Sequence, residues 1–397
     1  MDPNEQLNIL IDNTVDLFSK EELLEKLKKG RPLRIKLGVD PSRPDLHLGH
    51  YVVLRKLRQF QELGHQIVLI IGDFTARIGD PSGRSKTRPM LSMDEVRENA
   101  RSYAEQVFKI LSKEKTEIRY NGEWFDKMTF EQVIRISSKY TVARMMERDD
   151  FKKRYDSNQP ISVAEFLYPI AQGYDSVMVK SDVEMGGTDQ LFNLLVGRKM
   201  QEEYEQLPQV VLTMPLIEGT DGNLKMSKSY DNYIAFNDTS RDMFGKIMSI
   251  PDTLIIKYMR LLTELGKTEI DLYESQMKDG LVNPRDIKMK LGQEVVAVFY
   301  GREEGVKAQE EFIKIFRKKD LPDEMETLKA TSPISVLDLV MLSGETPSKS
   351  EAKRLIAQGA VKLDEEKLDD FSRMLEVKGS EVLKIGKRKF FRIELAF

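Results

Sequence analysis

Apolar positions along this chain recur with two different periods, and their alternation sketches a fold. Ile67-Val68-Leu69-Ile70-Ile71 is an unbroken apolar run that stops at Gly72, and Val210-Val211-Leu212-Thr213-Met214 stops at Pro215 in the same way. Short runs of this kind predict strands buried on both faces, as in a parallel sheet. Arg34-Ile35-Lys36-Leu37-Gly38-Val39 predicts another strand, followed by a turn through Asp40-Pro41-Ser42-Arg43-Pro44-Asp45. From about His47 the apolar residues change to helical spacing, at Leu48, Tyr51, Val52, Leu54 and Leu57. Helical patterns between such strands predict an α/β fold with a doubly wound parallel sheet, whose ligands bind at the carboxyl ends of the strands.

Two changes of character follow. Beyond residue 233 the pattern turns to helix after helix. Asn283-Pro284 marks one start, a cap followed by proline at the first helical position, and Ile287, Leu291, Val295 and Phe299 continue it as an apolar stripe. Lys318-Lys319-Asp320-Leu321-Pro322-Asp323 predicts a linker. In the last stretch, Ser348 and Glu351 have the spacing of a capping box, and the helix they open carries Lys349, Lys353 and Arg354 before ending at Gly359. Short strands follow, then Lys384-Ile385-Gly386-Lys387-Arg388-Lys389-Phe390-Phe391-Arg392. A basic helix beside a basic, aromatic strand suits an RNA surface; with acidic residues nearly balancing the basic ones, it also suits a solvated face.

Composition narrows the chemistry. The chain has 397 residues, is 40% hydrophobic and 32% charged, and carries a formal net charge of −3. Contact with nucleic acid must therefore come from local basic patches. It has no cysteine, which excludes disulfides, thiol nucleophiles and thiolate metal sites and fits a reducing, cytoplasmic setting. No apolar run approaches the ~20 residues of a membrane span, and no signal-like segment is expected at the start.

Two of only three histidines fall in His47-Leu48-Gly49-His50, where strand gives way to helix. Free backbone N–H groups and the helix dipole favour an anion there, and an imidazole can donate to phosphate. Taken alone, these residues fit an anion site or a pair of surface histidines. Further on, Lys225-Met226-Ser227-Lys228-Ser229 follows the glycine-bearing run Glu218-Gly219-Thr220-Asp221-Gly222-Asn223. Two lysines three residues apart on a mobile loop can close over a polyphosphate. A third set, Tyr168, Gln172 and Asp175, falls at i, i+4 and i+7, one face of a helix. Pro169 within it is compatible with a helix only if Tyr168 lies before or in the first turn.

In order and spacing, the histidine and lysine-serine signatures resemble those of the class I aminoacyl-tRNA synthetases. Gly79-Asp80-Pro81-Ser82-Gly83, the Tyr168-Gln172-Asp175 set and Gly186-Gly187-Thr188-Asp189-Gln190 narrow the resemblance to bacterial tyrosyl-tRNA synthetases. Tryptophanyl-tRNA synthetases share the catalytic fold but usually lack this set and the terminal module. An RNA-binding protein on an inactive synthetase scaffold, or a shorter nucleotidyltransferase with a similar histidine signature, are further readings.

The resemblance implies a Rossmann-like catalytic domain over 1–232, with a dimerisation insertion near 120–180. It implies a helical anticodon-recognition domain over 233–325 and a small α+β RNA-binding domain over 334–397. The reaction it implies is activation of L-tyrosine by ATP, with Mg2+, then transfer to tRNA(Tyr). It implies a homodimer, with no prosthetic group and no resident protein-held metal. His47, His50, Lys225, Lys228 and Ser229 would act on the phosphates, assisted by Arg84 and Arg88. Gly38, Asp40, Ser42, Gly49, Gly187, Asp189 and Met226 would complete the ATP site, Asp40 and Asp189 holding ribose or the substrate ammonium. Tyr168 and Gln172 would bind the ammonium, Asp175 the phenol hydroxyl, and Asp80 and Gln190 the rest of the amino acid. In two places the sequence departs from the family. Lys36 stands where many members have a tyrosine that bonds the substrate hydroxyl, and can donate to that oxygen or point elsewhere. Arg84 stands where lysine is common.

Overall fold

The structure, a computed structural model, describes residues 1–41, 45–80, 93–319, 325–364, 366–386 and 389–396. It divides into two compact units, Met1–Gln309 and Glu310–Phe397.

The first unit is built on six strands: β1 (Leu17–Phe18), β2 (Arg34–Val39), β3 (Gln66–Ile71), β4 (Thr116–Tyr120), β5 (Val183–Gly187) and β6 (Val210–Met214). Their order in the sheet is β1-β6-β5-β2-β3-β4. All neighbours are parallel except β1, which pairs antiparallel with β6. The three expected strands form, and they are buried because parallel strands are covered on both faces: Ile67, Val68, Leu69 and Ile71 have no exposed surface. The winding runs outward from β2 in one direction and from β5 in the other. The sheet therefore changes direction between these two strands, and a crevice opens at their carboxyl ends.

Helices α1 (Pro3–Ile11), α2 (Lys20–Lys28) and α3 (Leu48–Glu62) precede the crossover to β3; α4 (Thr75–Ile78) and α5 (Met93–Val107) precede β4. Between β4 and β5 lies the inserted helical stretch: α6 (Gly122–Phe125), α7 (Phe130–Ser137), α8 (Val142–Met145), α9 (Asp149–Asp156) and the long α10 (Val163–Val179). Helix α11 (Leu191–Glu203) then leads to β6. Ser162 and Glu165 form a complete capping box at the start of α10. Pro169 is inside this helix, with Tyr168 in its second turn, contrary to the expectation that the helix begins near Tyr168. The loss of one backbone donor is outweighed by packing: Ile170 and Val177 join Val196 and Met200 of α11 in one core, and Ala171 and Val179 join Val68 and Ile70 of the sheet in another. The α10–α11 crossing is closed by glycines. A Cβ at Gly173 would come within 2.9 Å of Met200 Cγ on α11, and one at Gly197 within 3.0 Å of Ser176 Oγ on α10.

Helices α12 (Ser240–Ser249), α13 (Ile255–Leu262), α14 (Lys267–Lys278), α15 (Pro284–Tyr300) and α16 (Arg302–Lys319) follow. Asn283 caps α15 with Pro284 next, as its sequence requires. The stripe on α15 reaches back to the α/β core: Phe299 lies 4.8 Å from the Phe236 ring and 5.5 Å from Tyr51 on α3. Residues up to Gln309 thus share one compact unit with the sheet. The expected linker begins later than its composition implied, because α16 continues through Lys318 and Lys319; 320–323 lie outside the described residues.

The second unit carries β7 (Glu326–Ala330), β8 (Ile334–Ser335), α17 (Val336–Leu342), α18 (Lys349–Ala357), β9 (Val361–Leu363), β10 (Glu366–Lys367), β11 (Met374–Leu375), β12 (Val382–Ile385) and β13 (Lys389–Leu395). Its main sheet has the order β10-β9-β12-β13-β7, and Val336, Leu339, Ile356, Val361 and Ile393 make a core of its own. Ser348 caps α18 by accepting from Glu351 N–H, but the Glu351 carboxylate turns to Arg354 at 3.3 Å, so the capping box is half made.

Gly197→Ala is expected to destabilise the first unit by about 1–3 kcal/mol, the usual range for overpacking. A thermal unfolding scan should show the midpoint falling; an unchanged midpoint would mean the helix crossing has room to spare.

Candidate functional site

One cavity of about 350 Å³ occupies the crevice at the β2–β5 change of direction. Its walls include Gly38 and Asp40 after β2, His47, Gly49 and His50 at the start of α3, and Tyr168, Gln172 and Asp175 on α10. Gly187, Asp189 and Gln190 after β5, Asp80 after α4, and Lys225 and Met226 complete it. Residues more than 150 positions apart in sequence therefore meet in one hollow.

The histidine turn is more tightly specified than its sequence suggests. His47 is the cap of α3, not its first residue, and its Nδ1 accepts from Gly49 N–H at 3.2 Å. His50 returns the favour: its Nδ1 accepts from His47 N–H at 3.2 Å. With both Nδ1 atoms accepting, each ring carries its proton on Nε2. Burial, reinforced by His50 and then by Lys228 and Lys225, pushes the His47 imidazole well below its ordinary range. Burial and then Lys228 push His50 down to about 4. Both rings are neutral donors at neutral pH. Gly49 is required here for a second reason: a Cβ would sit 2.9 Å from His47 Cε1, so any side chain would dislodge the cap.

On α10 the polar face has specific partners. Asp175 is buried, and its carboxylate accepts from Trp124 Nε1 at 3.0 Å and from Asn121 Nδ2 at 3.3 Å. Burial raises its carboxyl to about 7, against the pull of Lys36 and these two donors. Tyr168 donates its hydroxyl to Asp40 at 2.9 Å, and Thr75 donates to the other Asp40 oxygen at 2.8 Å. Burial and then Asp40 and Asp80 hold the Tyr168 phenol well above its usual value, so it stays a donor. Gln190 donates to Asp80 at 3.0 Å. The result is a pocket with one deeply buried acceptor and a ring of further carboxylates, which suits a ligand that brings a hydroxyl and an ammonium.

Across the cavity wall, Lys225 pairs with Asp189 at 3.0 Å, and Met226 is buried with its N–H on Ile217 O. Asn232 organises this loop: it accepts from Ser227 N–H at 2.8 Å and donates to Asp221 at 2.8 Å and to Lys225 O at 3.2 Å.

Two expectations change. Lys36 does not enter the pocket: it is fully buried, pairs with Glu184 at 2.8 Å, and donates to Gln172 O and Ser176 Oγ, because a buried ammonium must find a counter-charge and acceptors. Ser229 is exposed and off the cavity wall; Ser227, which caps the short turn Lys228–Tyr230, lines it instead. Gly38 lines the cavity, and a Cβ there would meet no protein atom within 4 Å. Ser42, Arg84 and Arg88 lie outside the described residues. Trp124, Asn121 and Thr75 went unremarked in the sequence, and Gly72 was read only as the end of a strand. A Cβ at Gly72 would sit 2.1 Å from Asp40 Oδ1, so this glycine lets Asp40 approach. Their position just past the ends of β3 and β4, where such sheets bind ligands, was the available signal.

The sequence profile of the tRNA synthetases class I (W and Y) matches residues 28–317. A tyrosine–tRNA ligase of Thermotoga maritima is 62% identical over 99% of this chain and 98% of its own length. One of Carboxydothermus hydrogenoformans is 53% identical over 98% and 97%. In fold, the chain is similar to the crystal structure of a tyrosyl-tRNA synthetase from Aeropyrum pernix, with a TM-score of 0.61 at 21% identity, over 79% of this chain and all of that one. The chain belongs to the bacterial tyrosyl-tRNA synthetases.

Proposed function

We propose that this chain ligates tyrosine to tRNA(Tyr) in two steps within the one cavity. A carboxylate oxygen of tyrosine attacks the α-phosphorus of ATP, the bond to the β-phosphate oxygen breaks, and pyrophosphate leaves. A ribose hydroxyl of the terminal tRNA adenosine then attacks the tyrosyl carbonyl, and AMP leaves with the bonding pair. The observation that carries this reading is that His47, His50 and Lys225 share a cavity with Tyr168, Gln172 and Asp175.

No side chain need become a nucleophile, so catalysis is positioning plus stabilisation of charge. Neutral His47 and His50 donate Nε2–H to phosphate oxygens without adding a charge that must be desolvated. Lys225 and Lys228 balance the charge that develops on pyrophosphate; Lys225 exchanges Asp189 for phosphate. Asp175 accepts the phenol hydroxyl, while Tyr168, Gln172 and Asp80 surround the amino acid's polar end. Among the described residues no group of three or more His, Asp or Glu is placed to hold a metal ion. Mg2+ would ride on the ATP phosphates, neutralising them.

The inserted helices carry strongly exposed apolar residues, Phe130 at 79%, Val142 at 64% and Tyr155 at 68%. This face is proposed as the contact between two copies. The basic residues of the second unit, Lys349 and Lys353 on α18 and Lys389 on β13, are proposed to meet tRNA. A cytoplasmic setting, where ATP and tRNA are both at hand, is part of the proposal.

Tyrosine-dependent ATP–pyrophosphate exchange tests the reaction; its absence, or exchange with tryptophan instead, would overturn it. His50→Ala and Lys228→Ala are each expected to slow adenylate formation by about 10²–10³ in single turnover, with tyrosine affinity little changed. Lost affinity with intact chemistry would reverse those roles. Tyrosine binding favours the ionised Asp175 and so releases a proton. Affinity should rise with pH through about 7 and level off above it, read by equilibrium titration. A flat profile from pH 6 to 8.5 would remove Asp175 from the hydroxyl contact. Sedimentation equilibrium should find two chains, and Tyr155→Asp should shift the balance to one; a single-chain mass for the unaltered protein would rule out the proposed face.

A further inference from the structure

Lys36 and Glu184 are register partners on β2 and β5, the two strands that flank the change of direction. Both side chains have no exposed surface, and their charged atoms lie 2.8 Å apart. A buried ion pair is a poor source of stability, since apolar residues of similar size often serve a core as well. The contacts of this pair lead instead to the pocket. Lys36 Nζ donates to Gln172 O at 2.8 Å and to Ser176 Oγ at 2.7 Å. Glu184 accepts from Gln172 Nε2 at 3.3 Å, from Ser176 Oγ at 2.9 Å and from Gln209 Nε2. Gln172 and Ser176 bracket Asp175 on α10. Backbone and side chain of Gln172 are thus both gripped from behind, on the face of α10 turned to the sheet.

We propose that the Lys36–Glu184 pair is a positioning device that seats the α10 face and sets the acceptor strength of Asp175, and through it the preference for tyrosine over phenylalanine. It rests on the reading of the cavity as a tyrosine site. The tyrosine that many members of the family carry at this position would touch the substrate; here the lysine acts from between β2 and α10, through Asp175. The two charges pull in opposite senses. Lys36 is foremost among the groups that favour the Asp175 carboxylate, and Glu184 disfavours it. The groups facing Asp175 from α6 and the residue before it, Trp124 and Asn121, are neutral. Asp40 and Asp80 bear on the hydroxyl of Tyr168 beside it.

The opposite senses supply the test. Trp124 is the single tryptophan of the chain and touches Asp175, so its fluorescence reports tyrosine binding directly. Tyrosine and phenylalanine affinities are measured against pH from 5.5 to 8.5 for the full chain, Lys36→Met and Glu184→Gln. Lys36→Met is expected to move the pH midpoint of tyrosine binding upward by about one unit or more, weakening tyrosine up to about tenfold near pH 7.5 and phenylalanine hardly at all. Glu184→Gln is expected to move it downward. Structural damage would not produce shifts of opposite sign. Midpoints that stay together, or that move the same way in both variants, overturn the proposal. If Lys36→Met does not fold, Glu184→Gln decides alone: a lower midpoint supports the pair's role, and an unmoved or higher one refutes it. The unaltered protein separates the two claims, since tyrosine-dependent exchange with unmoved midpoints sinks this inference only, and no tyrosine-dependent exchange sinks the reading beneath it.

Discussion

A parallel sheet that reverses its winding between β2 and β5 must leave a crevice at their carboxyl ends, because the connections leave in opposite directions. The described residues of the candidate site are hung on that gap. The β2 side supplies Asp40 and the capped turn His47–His50. The β5 side supplies Asp189 and Gln190. Helix α10 closes the cavity with Tyr168, Gln172 and Asp175. The α10–α11 crossing, held close by Gly173 and Gly197, keeps that helix against the sheet.

Within the gap, electrostatics divides the labour. The side proposed for phosphate combines neutral imidazoles, whose protons are fixed on Nε2 by their backbone bonds, with Lys225, which pairs with Asp189. Neutral donors avoid repelling Lys225 and Lys228, which already depress the histidines. The amino-acid side does the reverse. It buries a carboxyl that desolvation raises to about 7, opposed in part by the Lys36 charge between sheet and α10 and by Asn121 and Trp124. A buried acceptor of this kind favours a ligand that brings a hydroxyl donor, which is the basis of the proposed discrimination between tyrosine and phenylalanine.

Much of this was legible in advance. The strands at 34–39, 67–71 and 210–214 announce themselves because burial on both faces leaves unbroken apolar runs. The helix cap at Asn283-Pro284 is equally local. The pocket face of α10 was visible as a spacing of four and three residues. Pro169 misled because helix propensity is a weak prior, and the packing of Ile170 and Val177 overrode it. The capping box at Ser348 was half right because Arg354 competes for Glu351, a choice between two local partners that spacing cannot decide.

What the sequence alone determined, then, is the set of short-range features: element types, caps, and the two signatures whose residue chemistry suits phosphate. What only tertiary structure decided is which distant groups share a charge environment. Asn121 and Trp124 reach Asp175 across some fifty residues of chain. Lys36 finds Glu184 on a strand almost 150 residues away and so turns from the pocket. A side chain's protonation and direction depend on the solvation and the partners it meets once the strands pair. Local pattern carries neither, because both arise from contacts that exist only after the sheet has closed.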